Sequence, residues 1–377
     1  MFVETLGPKR FSTQDSDPKS ALRLGCAAAR RVSQFIVVPE DADTAVSHRA
    51  KAAVVDGMRQ LGAVVPPNHR LDEKLADNLQ YLALCYVRAR QTAQPDRPGS
   101  AWSLPASGHT IRCIPYAAGT TLTRSGSRTP NYCSPSLPTD RYRRARRRLN
   151  QPGSPLTRDE RRDEVERQVR SLLYQVRDRP TLLLANSGNL REAWPGLNNG
   201  QLARDMVTFN GEQPTRLTLY GAGLRAVLIR DANSRGETPE WYAPSETDEE
   251  PPGFSAGLWA ACDADQDNRV FVSTVGKPPT AGTVRRDLRK LVPDTDWPHG
   301  PAATAWNPQA LELTVLGCLS EAALAAAGST DSKPEQPAVF AAAVHQLRFH
   351  DEYHPLARPL QLHLAKLAEE YVLPLAP

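Results

Sequence analysis

Three groups of residues in this chain carry side chains fit for chemistry. Near the C-terminus His363, Lys366 and Glu370 recur at i, i+3 and i+7, so a helix there aligns an imidazole, a cation and a carboxylate on one face. Leu360, Leu364, Leu367 and Tyr371 form an apolar stripe, and Pro355, Pro359 and Pro374 bracket the segment. The spacing predicts a terminal helix over 360–372 whose polar face looks into a site or, equally well, into solvent. The second group follows the apolar run Thr181–Asn186, where the chain continues through Asn189, Arg191 and Trp194. Ligands gather at the C-terminal ends of strands in α/β sheets, although a plain loop and helix anchor would use the same residue types. The third group is basic: residues 141–148 hold six Arg, Arg144 and Arg147 among them. They read either as a solvated insertion or as a clamp on a phosphate backbone.

One tempting cluster does not qualify as a metal site. His350, Asp351, Glu352 and His354 crowd into five positions, but neighbouring residues in a loop seldom converge on one ion, and Pro355 marks a turn.

Bulk properties set the frame. A chain of 377 residues can bury one large core or two smaller ones, and 40% hydrophobic with 23% charged residues is ordinary for a soluble globular protein. Of the 46 basic residues 8 are Lys and 38 are Arg. Arg suits bidentate phosphate contacts, but abundant Ala, Pro and Arg also mark a GC-rich coding sequence, so the bias points only weakly to nucleic acid. The six cysteines show no CxxC pairing and read as reduced, mostly buried thiols. With no leader sequence and no apolar run long enough to span a membrane, the expected location is the cytoplasm.

The elements that must position these residues alternate between helix and strand. Asp17–Gly25 reads as a helix with Pro at its start and Gly at its end, Val32–Val38 as a short strand, and 45–61 as a helix. Strands are predicted at Tyr81–Val87 and Thr110–Pro115, followed by a stretch over 119–156 that loses all periodicity. A long helix then opens at Thr157. Val165, Val169, Leu172, Leu173 and Val176 form its core stripe, and Asp163/Arg167 and Glu166/Arg170 sit at i, i+4. After the buried strand Thr181–Asn186 come strands at Arg216–Tyr220, Ala226–Arg230, Val270–Val275 and Leu311–Leu316, with an acidic loop at 245–253 and helices near 336–349 and 360–372. The alternation predicts an α/β fold, a mixed sheet with helices on both faces. The chain opens on a strand with no cap before it, which suggests a module whose companion domains are encoded elsewhere.

Taken in order, Asp17–Ile36, Asn189–Leu197, Val275–Pro278, Asn307-Pro308, Val344–Arg348 and Leu360–Tyr371 resemble the prokaryotic PIWI-RE family, a divergent branch of the PIWI/Argonaute proteins. The resemblance implies an RNase H-like mixed sheet over about 76–377, preceded by the end of a MID-like region over 1–75, with the Arg-rich stretch as a disordered insertion. It implies binding of a guide RNA or an RNA–DNA hybrid (an R-loop, in defence against plasmids or phages), with a helicase and a separate nuclease as partners and no membrane. The family is named for an arginine and a glutamate. Arg191 is the best match for the first and Glu370 for the second, with Glu312 as the rival; Lys277 is a further backbone contact. The alternative role of such a pair is to fix the last helix against the sheet.

RNase H-type cleavage needs several carboxylates, or carboxylates with a histidine, to hold two divalent ions. The first strand has no acidic residue, Asn186 stands where a metal-dependent relative presents Asp, and only His363 matches a site position. The expected protein therefore binds without two-metal hydrolysis and holds no metal. Two other readings compete with it: an active nuclease using Mg²⁺ or Mn²⁺ with other acidic residues, and a fragment that folds only beside its missing half.

Overall fold

The computed structural model describes residues 1–6, 10–11, 17–29, 31, 33–37, 45–60, 79–87, 110–116, 118–122, 128–132, 158–209, 212–231, 256–261, 268–275, 309–318, 335–349 and 356–367. The first elements are β1 (Phe2–Thr5), α1 (Lys19–Ala28), β2 (Gln34–Val37) and α2 (Ala45–Gln60). β1 and β2 pair in parallel, and α2 packs on β2. Asp17 accepts the Lys19 N–H at 2.9 Å beside the start of α1. The helix runs past Gly25, its predicted end, because Gly25 sits within the helix rather than after it.

Strands β3 (Gln80–Val87), β4 (Thr110–Tyr116), β7 (Thr181–Asn186), β10 (Leu224–Asp231), β11 (Gly257–Ala260), β12 (Val270–Thr274) and β13 (Leu311–Gly317) make one seven-stranded sheet in the order β11-β12-β13-β10-β7-β3-β4. Its centre is parallel: β3, β7 and β10 run in one direction. Every neighbour outward from that centre is antiparallel. All residues of β7 and β10 are buried, as parallel strands covered on both faces must be.

Alternation along these strands divides two cores. Leu183, Ala185, Ala226 and Leu228 face the long helix α3 (Arg158–Val176), meeting Val165, Val169, Leu173 and Val176. Leu182, Leu184, Val227, Ile229, Leu311, Leu313 and Val315 face the other way. They meet Val339, Phe340, Val344 and Leu347 of α5 (Pro337–Gln346) and of the turn after it, and Leu362 of α6 (Leu360–Leu367). Each fully buried Leu contributes about 1.5–3 kcal/mol, so these stripes supply most of the sheet's anchoring. The mixed α/β sheet with helices on both faces is thus as predicted. On α3, Arg170 pairs with Glu212 at 2.5 Å and lies 4.1 Å over the Phe209 ring, with buried Glu166 adding a charge interaction.

Three local predictions differ. Arg216–Tyr220 is a strand only at β9 (Thr215–Arg216), paired with β8 (Met206–Val207). Leu217–Tyr220 turns into a 3-10 helix that ends at Gly221, whose φ of 157° favours glycine. The stretch predicted to lack periodicity contains an antiparallel strand pair, β5 (Ala118–Leu122) with β6 (Arg128–Tyr132). β11 had no counterpart among the predicted strands. The acidic loop at 245–253 and residues 141–148 lie outside the described residues.

Candidate nucleic-acid interface

The parallel centre of the sheet sends the C-terminal ends of β3, β7, β10 and β12 to a single edge. β13, running the opposite way, begins there. At this edge β7 ends in Asn186, whose Oδ1 accepts the Asn189 N–H at 3.1 Å and so caps the short helix α4 (Ser187–Leu190). Asn189 does not face a ligand as predicted. Its amide grips β3 from both sides, donating to Tyr86 O at 2.8 Å and accepting the Tyr86 N–H at 2.5 Å. The side chain continues the ladder where β7 has already turned away.

Trp194 also requires correction. It is 1% exposed, donates Nε1–H to Thr208 O at 2.9 Å and stacks on Phe209 with centroids 5.3 Å apart. Its ring faces are spent on the core and offer nothing to a base. Gly196 makes this fit possible, since a Cβ there would lie 1.9 Å from Thr208 O. Arg191 closes α4 with its N–H on Ser187 O at 3.0 Å and is half-buried.

The charged centre of the edge comes, apart from Glu312, from residues the sequence did not single out. Asp231, the last residue of β10, is 6% exposed and takes two donors from Arg358 on one oxygen, Nε at 2.8 Å and Nη2 at 2.5 Å. Asn186 Nδ2 lies 3.4 Å from the same oxygen. One residue earlier, Arg230 donates Nη1 to Glu312 at 2.6 Å and Nη2 to Asn199 Oδ1. Glu312, the rival candidate for the family's glutamate, therefore belongs to Arg230. The register explains it: Arg230 and Glu312 are direct cross-strand partners on β10 and β13.

A second polar node stands at the same edge. Arg348, 0% exposed, donates to Ser273 O at 2.7 Å, Ser273 Oγ at 2.8 Å, Gln309 O at 2.6 Å and Leu356 O at 3.0 Å. Burial pulls its pKa down to about 9, which leaves it charged at neutral pH. Ser273 Oγ also lies 2.8 Å from His345 Nδ1. Burial, and then the charge of Arg348, pushes His345 down to about 4 from 6.5. The unfolded chain thus binds a proton that the folded chain refuses between those values. Stability is full above pH 6.5 and falls as the pH drops toward 4, by at most about 1.4 kcal/mol per unit and by less after solvent screening of a half-buried ring. Urea midpoints at pH 7 and pH 5 should therefore differ more for the wild type than for His345→Gln. Parallel shifts would rule out His345 as the source.

His363 lies on α6, half-buried, with its N–H on Pro359 O at 3.0 Å. The helix packs on β3 and β4. Leu360, Gln361 and Leu362 are all buried, so the first turn of α6 is enclosed all round rather than along one stripe. Lys277, Glu370, Arg144, Arg147 and the cluster at 350–354 lie outside the described residues.

Among the described residues, the donor set of this edge does not fit a two-metal centre. β3 carries no acidic residue, β7 ends in an amide, and both Asp231 and Glu312 already hold an arginine. Among the described residues no three His, Cys, Asp or Glu side chains gather as a metal site requires.

Comparison with known families decides the kinship. Residues 105–374 match the RNaseH domain of pPIWI_RE, and residues 1–69 match the MID domain of pPIWI_RE. The chain belongs to the pPIWI_RE family. No curated protein matches it. β3, which lies ahead of the matched RNaseH range, is nonetheless hydrogen-bonded into the same sheet between β7 and β4. A pPIWI_RE protein that joins RNaseH and MID domains points to a nucleic-acid-binding module, and among the described residues no helix is long and apolar enough to cross a membrane.

Proposed function

We propose that this pPIWI_RE protein holds a guide RNA or an RNA–DNA hybrid by its backbone and does not cut it. The observation that carries this reading is the charge balance at the strand-end edge. Asp231 is matched by Arg358 and Glu312 by Arg230, so the carboxylates that would have to draw in divalent cations are already neutralised. A helix-shaped duplex is recognised through its phosphates and 2′-hydroxyls, without base reading by the protein. Arg191 and His363 on the described surface, and Lys277, Glu370, Arg144 and Arg147 beyond it, are the side chains assigned to that contact. A defence role against plasmids or phages, with a helicase and a separate nuclease supplying the chemistry, fits a binder of this kind.

The test is a titration of the purified protein against a labelled RNA–DNA hybrid at several salt concentrations, with Mg²⁺ or Mn²⁺ present and the strands analysed afterwards. Binding should weaken steeply with salt while both strands stay intact. Cleavage that disappears in His363→Ala would overturn the reading in favour of a metal-dependent nuclease.

A further inference from the structure

The two arginine–carboxylate pairs at the strand-end edge are not equivalent. Arg230 and Glu312 have side chains 8% and 10% exposed, and Arg230 is held a second time by Asn199. Arg358 is 21% exposed over an Asp231 that is 9% exposed. It places Nε and Nη2 on a single carboxylate oxygen, and its Nη1 makes no hydrogen bond among the described residues. Among the described residues, then, one edge of the guanidinium fork is open beside the surface to which the proposed function assigns the nucleic acid.

The backbone around Arg358 is pinned independently of that side chain. Leu356 N–H donates to Arg348 O at 2.8 Å, Leu360 N–H to Leu347 O at 2.9 Å, and Arg348 Nε holds Leu356 O at 3.0 Å. Arg358 can thus exchange one anion for another by a rotamer change without unseating α6. Asp231 keeps the Asn186 amide when the arginine leaves.

We infer that Asp231 is a stand-in anion: it holds Arg358 in the free protein and yields it to a backbone phosphate of the bound hybrid. The guanidinium fork matches phosphate and carboxylate alike, so the competition is between like-shaped acceptors. This inference rests on the proposed nucleic-acid binding. It adds that the carboxylate most suggestive of a cutting site works here as a brake on affinity.

Hybrid binding by wild type, Asp231→Asn and Arg358→Gln, each measured from low to moderate salt with melting temperatures alongside, tests it. Arg358→Gln should bind about three- to tenfold more weakly, with a log–log salt slope shallower by about 1. Asp231→Asn should bind more tightly than wild type by a similar factor. If wild type itself fails to bind at low salt, the proposed function falls. If wild type binds but Arg358→Gln keeps its slope, or if Asp231→Asn weakens binding in step with a lowered melting temperature, the pair is a structural clamp and this inference falls alone. Failure of both variants to fold would likewise make the pair a structural clamp and overturn the inference.

Discussion

Replacing Glu312 by Leu should destabilise the protein by about 3–5 kcal/mol, and adding Arg230→Met should return most of that loss. The single change leaves the Arg230 guanidinium, 7% exposed, without its counter-charge at the centre of the sheet edge, and an uncompensated buried charge costs on that order. The double change removes both charges, and hydrocarbon of similar volume in place of a buried ion pair is often neutral or better. Arg230 already carries a buried Nε with no partner, so the hydrocarbon version also disposes of one unsatisfied donor. Urea denaturation of the two single variants and the double variant at pH 7 gives the cycle. A double variant as unstable as the worse single one would mean that the pair does not hold the edge in the way its geometry indicates.

Arg348→Met should cost a similar amount, about 3–5 kcal/mol, because the loss is spread over four acceptors at once. Ser273 O, Ser273 Oγ, Gln309 O and Leu356 O all lose a donor, and each buried group left unpaired costs roughly 1–3 kcal/mol before relaxation. Against a total stability of about 5–15 kcal/mol, that brings the domain close to unfolding. Arg348→Lys should recover less than half, since a single ammonium cannot span acceptors on β12, on the turn before β13 and on the segment before α6. The local signature is faster amide exchange at Leu356 and Leu360, whose N–H groups close the neck around Arg348, ahead of any change in α3. Uniform loss of protection would mean that Arg348 supports the fold generally and not this neck.

Much of the sheet could be read from the chain because its strongest elements are locally coherent. Thr181–Asn186 is an uninterrupted apolar run suited to a parallel strand with both faces covered, and the α3 stripe repeats at helical spacing along one face. The family, too, was legible from short segments in order. The site was harder. The strand predicted at Ala226–Arg230 stopped one residue short of Asp231, and nothing local showed that Arg230 and Asp231 are both buried strand residues. What allows their burial is supplied from 82 and 127 positions further along the chain, by Glu312 and Arg358, and no local window contains that information. Trp194 misled for the opposite reason. An indole after a strand end looks like a ligand contact until Gly196, Thr208 and Phe209 are seen to close over it.

The sequence separations at the strand-end edge also fix when this surface can come into being. Asp231 meets Asn186 across 45 positions, and its arginine arrives only from 127 positions downstream. During synthesis, then, that aspartate lacks its Arg358 ion pair until residue 358 has been made, and β10 cannot settle beside β7 with that pair formed before then. Folds built on such distant contacts close late and slowly. A nascent chain of this protein completes the charge pattern of this edge only after that arginine has emerged, so the finished pattern is never displayed on a half-built sheet.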